Sequence, residues 1–470
     1  MNDRSADSSA PSASANGNPL AHAHTAFRAA RFGEAEKLCL DVLSGAPDNV
    51  EALRLQSLIA ARQSKFAQAI AWAEQSLAIA PDDAVSLANL SELYRQANRL
   101  DDALATARRL CGLQSSAAYL VHLGQVLVDR GDLDDALRCF VDALSSEPAH
   151  ATAHLAIAQV LLARGEFRSG WFAYEWRALL PDARGKLPQI RAPQWTGMPL
   201  PKGRILLLDD QGFGDMIFFA RYIAAVAERC HQVVLACSQA LRPLLARIPG
   251  VWTCVDNWRD CPEFTAYARL SSLPHVFGTE LHTIPAKIPY LTPDPDKVAH
   301  WRKRLNENFS AGLKVGVFWS GHLDHPNNVR RSLRLAQLAP LFGIAGVQFV
   351  SLQKDVPPQE IDAIRTIESL VQLGDALADF DDTAAVISSL DYVVTVDSAV
   401  AHLAGALGAQ VGLMIAQPSD WRWLLERTDS PWYPTVQLYR QPAPGDWESV
   451  IGRIAADLAE RAAARARSRS

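Results

Sequence analysis

Val393-Val394-Thr395-Val396-Asp397-Ser398-Ala399-Val400-Ala401-His402-Leu403-Ala404-Gly405-Ala406-Leu407-Gly408 decides how the C-terminal part of this chain is read. An apolar strand ends in Asp-Ser and turns at once into a small-residue helix with a histidine in its first turns. A helix that begins at a strand end aims unpaired N–H groups and the positive end of its dipole at one spot, which suits a phosphate. A carboxylate, a hydroxyl and an imidazole flank that spot. Earlier in the chain Ile205-Leu206-Leu207-Leu208-Asp209-Asp210-Gln211-Gly212-Phe213-Gly214-Asp215 repeats the strand–turn–helix form. Two such turns can face each other across a cleft.

Working outward, strands and helices alternate from Arg204 onward. In a first half, strands are predicted at Ile205–Leu208 and Gln232–Cys237, with helices at Asp215–Ala227 and Leu241–Ile248. The segment Trp252–Leu281 has no clear pattern, and a proline-rich connection around Pro285–Pro295 follows. The second half has strands at Lys314–Trp319, Val347–Leu352, Tyr392–Val396, Val411–Ile415 and Val436–Tyr439. Its helices fit Leu335–Phe342, Gln359–Ile367, Asp382–Leu390, Ser398–Leu407 and Trp447–Ala463. Apolar strands alternating with helices imply a parallel sheet covered on both faces, with ligands beyond the carboxyl ends of its strands.

The N-terminal part is different. Small residues recur at Ala35, Ala69, Ala103, Ala136 and Gly170, spaced 34, 34, 33 and 34 apart. Pro47, Pro81 and Pro148 keep the same register, and Ser115 stands where another proline would fall. That is the period of tetratricopeptide repeats, helix pairs that stack into a solenoid. Ser57 and Ser91 replace the glycine usual in the pattern. Trp171, Tyr174 and Trp176 read as aromatic packing at the solenoid's end. The expected organisation is a leader over 1–19, repeats over 20–180, a linker over 181–203, α/β halves over 204–295 and 296–455, and an Ala/Arg-rich helical tail over 456–470.

Composition narrows the partners. The chain has 470 residues and a net charge of -5, which gives no reason to expect nucleic acid or an anionic membrane. Its seven cysteines are scattered without a CxxC pair, so neither a zinc site nor a disulfide framework is indicated. No apolar run approaches the roughly 20 residues that span a bilayer, and the leader lacks a signal-peptide core. A cytoplasmic protein with reduced thiols is the expectation.

Each candidate residue has a plain reading beside a chemical one. Gly212 and Gly214 allow a sharp turn close to a ligand, but the third glycine of the dinucleotide fingerprint and the P-loop lysine are missing. Asp215 is either a favourable acid at a helix start or a base facing a cleft. Asp397 and Ser398 cap a helix or hold a diphosphate; His402 is a core histidine or part of the same site. Arg330 and Arg331 follow Trp319-Ser320-Gly321 and neutralise phosphate or lie on the surface. The loop between them (His322, Asp324, His325, Asn327, Asn328) has no metal-ligand spacing. Gln353-Lys354-Asp355 ends a strand, where Lys354 meets a nucleotide or solvent.

Residues 204–455 resemble a glycosyltransferase of the GT-B fold, in which two Rossmann-like halves face across a cleft. The relation is to bacterial ADP-heptose:lipopolysaccharide heptosyltransferases, glycosyltransferase family 9. The resemblance is carried by Gln-Gly-Phe-Gly-Asp (211–215) and Asp-Ser-Ala-Val-Ala-His-Leu-Ala-Gly-Ala-Leu-Gly (397–408). The attachment to repeats is similar to the domain order of protein O-GlcNAc transferases. The resemblance implies Asp215 as catalytic base. It also implies Asp397, Ser398 and His402 at the donor diphosphate, with Arg331 and neighbouring Arg330 on phosphate. Ser398 stands for the family's threonine and Ala399 for its glycine. The implied activity is inverting, metal-independent transfer of a sugar from a nucleotide-diphosphate sugar, with no cofactor. The acceptor is a protein, such as a bacterial surface or flagellar protein, held on the concave face of the repeats. The alternative is a non-catalytic repeat scaffold with a degenerate transferase domain.

Overall fold

The computed structural model describes residues 18–181, 190–309, 312–322 and 328–468. The chain divides into two compact units between His150 and Ala151.

The first unit is all-helical: α1 Pro19–Arg28, α2 Phe32–Gly45, α3 Val50–Arg62, α4 Phe66–Ile79, α5 Ala84–Gln96, α6 Leu100–Leu113, α7 Ala117–Arg130 and α8 Leu133–Ser146. Local chemistry starts the first helix of each pair. Asn18, Asn49, Asp83 and Ser116 accept hydrogen bonds from the first-turn N–H groups of α1, α3, α5 and α7. Ala30, Ser64, Asn98 and Gly131 adopt a left-handed backbone and reverse the chain within each pair. Ala35, Ala69, Ala103 and Ala136 are fully buried, as their spacing predicts. The seat facing them explains the serines. At Gly124 a Cβ would come 2.3 Å from the Phe140 ring. In the two preceding pairs the hydroxyls of Ser57 and Ser91 fill that seat and donate to the carbonyls of Ala69 (2.8 Å) and Ala103 (2.9 Å).

The second unit begins with a further helix pair, α9 Ala151–Ala163 and α10 Phe167–Tyr174, and continues into two sheets. Strands β1 Leu200–Leu208, β2 Cys230–Ala236, β3 Val251–Val255 and β4 Ala266–Arg269 form a parallel sheet in the order β3-β2-β1-β4. Strands β5 Leu313–Phe318, β6 Val347–Ser351, β7 Leu370–Gln372, β8 Tyr392–Val396, β9 Val411–Ile415 and β10 Val436–Arg440 form a parallel sheet in the order β10-β9-β8-β5-β6-β7. Both orders reverse beside the first strand of the sheet, which is the doubly wound pattern. The α/β class read from the alternation holds. β3 and β4 lie in the segment that lacked a pattern, because they are short and interleaved with polar residues. The predicted helix Asp215–Ala227 starts two residues earlier, at Phe213, and breaks at a 3₁₀ turn over Ala220–Tyr222.

The largest apolar core of this unit joins its two sheets, while a second covers the other face of the second sheet. The largest takes Leu207 and Phe218 from the first sheet and its helix, Leu352, Ala404 and Leu413 from the second, and Phe167 and Trp171 from α10. Trp171 and Tyr174 pack against Trp421, as expected of interface aromatics. Trp176 stacks on His154 at 3.8 Å. Among the described residues no helix is long and apolar enough to cross a membrane.

Candidate functional site at the sheet ends

β1 stops at Leu208 because Asp209 and Asp210 cannot continue an apolar strand. Asp210 turns into a polar cluster: Ser271 Oγ donates to it at 2.5 Å, and Arg177 Nη2 lies 3.3 Å away. Arg177 also pairs with Glu175 at 2.7 Å and donates to the hydroxyl of Ser272. An acid beside the glycine turn is thus neutralised by an arginine from the segment after α10. Asp209 has no such partner among the described residues, and burial together with the charges of Asp210 and Asp215 pushes its carboxyl up to about 6.

The helix Phe213–Phe219 then begins. Gly212 enters it in extended backbone, and its N–H donates to the Asp215 carboxylate at 3.2 Å. Gly214 meets the second sheet: a Cβ there would lie 3.1 Å from the His402 ring and 3.4 Å from Ala399 Cα. A side chain at this position would push the His402 ring back by a few tenths of an ångström. Asp215 pairs with Arg422, whose other side holds Asp420 at 2.9 Å. Burial raises the pKa of Asp215 against the opposing pull of Arg422.

β8 ends at Val396, and Ser398 caps the helix Ala399–Ala406, accepting from the Ala401 N–H at 3.4 Å. Asp397, between them, is raised to about 6 by burial and Asp420, against the opposing fields of Arg331 and Arg422. Arg331 lies over the end of β5: a Cβ on Gly321 would come 3.0 Å from its Nη2. Its Nε is buried and has no hydrogen-bond partner among the described residues, and the same is true of the Arg422 Nε.

His402 departs from expectation. It does not face an open crevice with Asp215. It is 5 % exposed, stacked on Trp423 with ring centroids 5.3 Å apart, against Phe218 at 5.4 Å, and its Nδ1 is 3.1 Å from the Tyr433 hydroxyl. Burial, and then the charges of Arg422, Arg221 and Arg331, hold its pKa well below the ordinary value, so the ring is neutral. Stacking a neutral imidazole among aromatic rings stabilises the core but gives no cation for a diphosphate.

The structure therefore brings Gly212, Gly214, Asp215, Asp397, Ser398 and His402 together, with Arg331 acting on Asp397. Arg330 is half-buried on the short helix Asn328–Arg331. Lys354 is exposed at the end of β6 and donates to the Ala378 carbonyl at 3.2 Å. Its neighbour Gln353 is buried and ties Ser320 to Asp355, so it serves the sheet ends themselves. Asp324, His325 and Asn327 lie outside the described residues. Arg422 is the residue that sequence reasoning missed. Its segment, Ser419–Leu424, reads as packing aromatics, and nothing local signals a partner 207 positions away.

Residues 20–84 and 122–168 match the tetratricopeptide repeat family. The N-terminal region of this chain consists of such repeats. Protein FlbA of Caulobacter vibrioides (strain ATCC 19089 / CIP 103742 / CB 15) is 28% identical over 450 residues, covering 82% of this chain and 74% of FlbA. Among solved structures, MamA is 17% identical with a TM-score of 0.31, over 35% of this chain and 97% of that one. TTC0263, a thermophilic TPR protein in Thermus thermophilus, is 20% identical with a TM-score of 0.32, over 36% and 95%. YrrB, described as a TPR protein with an unusual peptide-binding site, is 15% identical with a TM-score of 0.30, over 36% and 91%.

Proposed function

We propose that this chain is a glycosyltransferase of the GT-B type. It moves a sugar from a nucleotide-diphosphate sugar to a hydroxyl of a protein that the repeats recruit. One observation carries the reading. The glycine turn after β1 and the Asp-Ser turn after β8 abut at the carboxyl ends of two parallel sheets, gathering Asp215, Arg422, Asp397 and Arg331 into one charged cluster. Carboxyl-end turns at the reversal of strand order are where such sheets take nucleotides.

In this reading the acceptor hydroxyl attacks the anomeric carbon from the face opposite the diphosphate. The bond from carbon to the diphosphate oxygen breaks as the new glycosidic bond forms, so configuration inverts. The hydroxyl proton passes to the Asp215 carboxylate. Burial makes that carboxylate a stronger base than an exposed aspartate. Arg331, the hydroxyl of Ser398 and the start of the helix Ala399–Ala406 stabilise charge on the departing diphosphate. The neutral ring of His402 keeps the aromatic wall behind these groups dry. The repeats raise the local concentration of the acceptor.

Calorimetry with a panel of nucleotide-diphosphate sugars tests the donor site, and glycan mass spectrometry of proteins captured by the full chain tests transfer. Asp215→Asn is expected to lower turnover at least roughly 100-fold while changing donor affinity by less than about twofold. Unchanged turnover removes Asp215 from the mechanism.

A second reading has its own support. Asp215 is engaged by Arg422, and His402 is sealed among aromatic rings. Both suit a non-catalytic scaffold whose α/β unit is structural. Saturable binding of one nucleotide sugar with slow hydrolysis favours the enzyme; no binding to any donor favours the scaffold.

A further inference from the structure

The two edges of the His402 ring have different surroundings. Nδ1 lies 3.1 Å from the hydroxyl of Tyr433, which the loop before β10 supplies. The opposite edge faces the glycine turn: a Cβ at Gly214 would lie 3.1 Å from Cδ2, the carbon bonded to Nε2. Nε2 does not share the sealed state of the neighbouring Trp423 and Trp432 indole nitrogens, which are buried without partners among the described residues. A neutral imidazole has one N–H and one bare nitrogen. The partner of Nδ1 therefore decides what Nε2 presents to the turn.

The surroundings of Tyr433 fix where its proton goes. Its buried hydroxyl lies 3.1 Å from Nδ1 and 3.3 Å from the hydroxyl of Tyr290. Tyr290 gives its own proton to the Ile217 carbonyl at 3.0 Å, a group that only accepts. The Tyr290 oxygen is in turn 3.5 Å from Arg221 Nη2, a group that only donates. An imidazole nitrogen is a stronger base than a phenol oxygen, and here it is also the nearer acceptor. The Arg221 guanidinium, 4.6 Å from the Tyr433 ring, strengthens the phenol as a donor. Tyr433 therefore donates and Nδ1 accepts. The helix Ala399–Ala406 makes room for this contact one turn beyond the histidine. A Cβ at Gly405 would come 2.5 Å from the buried Tyr433 ring, so a glycine, which weakens a helix interior, admits it.

We propose that Tyr433 is a positioning residue of this site: its hydroxyl holds the single proton of His402 on Nε2 and aims an uncharged N–H at the Gly214 turn. Such a donor meets an oxygen of a bound diphosphate without adding a further cation beside Arg331 and Arg422. Without the hydroxyl the proton divides between the two nitrogens, and the turn faces a bare nitrogen part of the time. This role in donor binding rests on the transfer reading; the place of the proton does not.

Magnetic resonance of the full chain, labelled with nitrogen-15 in histidine alone, tests the inference. The His402 signals are identified by their loss in His402→Gln. In the parent without ligand, Nε2 is expected to resonate as a protonated nitrogen and Nδ1 as an unprotonated one, unchanged between about pH 5 and 8. Tyr433→Phe keeps the ring and removes only the hydroxyl. It is expected to abolish that pattern in favour of mixed tautomers, which a tyrosine that merely packs would not do. Inorganic pyrophosphate is expected to move the Nε2 signal of the parent saturably, and Tyr433→Phe to weaken that binding roughly threefold to tenfold. A parent with the proton on Nδ1 overturns the inference, as does a Tyr433→Phe pattern equal to the parent's. The expected pattern with no response to pyrophosphate supports the placement of the proton and counts against the transfer reading.

Discussion

Asp397 shows how a single side chain can be read correctly by place and only in part by chemistry. Its position after an apolar strand marks it as the end of β8. Its burial beside Asp420 and its titration near 6 follow from residues the local sequence does not name. A carboxyl raised in this way binds its proton more tightly in the folded chain than in the unfolded one. Its contribution to stability is whole below about pH 4, the unfolded value, and is lost as pH rises through about 6. Asp397→Asn is therefore expected to match the parent near pH 4 and to exceed it by about 3 kcal/mol at pH 7. Urea midpoints across that range check this. A difference that does not change with pH refutes it. His402 teaches the complementary lesson. The sequence places it in the first turns of a helix, but only the packing of Trp423, Phe218 and Tyr433 makes it neutral and enclosed.

Elements were legible wherever a local rule sufficed. The caps at Asn49 and Asp83, the buried alanines and the period of the repeats all follow from short-range chemistry. The turns inside the pairs show where that chemistry carries strain: Ala30, Ser64, Asn98, Gly131 and Gly165 share a left-handed backbone, and only two are glycine. Ala30→Gly is expected to stabilise the first unit by about 0.5–1 kcal/mol, read as a higher denaturation midpoint. Gly124→Ala should do the reverse. Its methyl would stand 2.3 Å from the Phe140 ring, and the forced displacement is expected to cost about 1–3 kcal/mol by the same measurement. β3, β4 and β7 were not legible, because strands of three to five residues in polar company carry too short a pattern.

Across the α/β unit, long-range partners decide the arrangement. Arg221 is 4% exposed and pairs with no carboxylate among the described residues. Its guanidinium lies 4.6 Å from the rings of Phe218 and Tyr433, 5.1 Å from Trp432 and 5.2 Å from Tyr290. It also donates to the carbonyls of Phe218 (2.8 Å) and Trp432 (2.9 Å). It therefore ties a helix of the first sheet to the loop before β10. Arg221→Ala leaves a buried carbonyl unpaired and removes the cation from an aromatic cage, with an expected cost of about 3 kcal/mol. Hydrogen exchange at Tyr290 and Trp432–Tyr433 should rise in that variant, while α1–α8 remain as protected as in the parent.

The sequence by itself determined the helix repeats, the parallel α/β character of the remainder, and the two turns that carry glycine and Asp-Ser. Those features depend on neighbours within one turn or one strand, so spacing and residue type record them. The tertiary structure alone decided that Gly214 rests on Ala399 and His402, that Arg422 holds Asp215, and that the histidine is enclosed. Contacts between residues about 185 to 207 positions apart leave no periodic trace, because they arise only when two sheets bury their apolar faces in a common core.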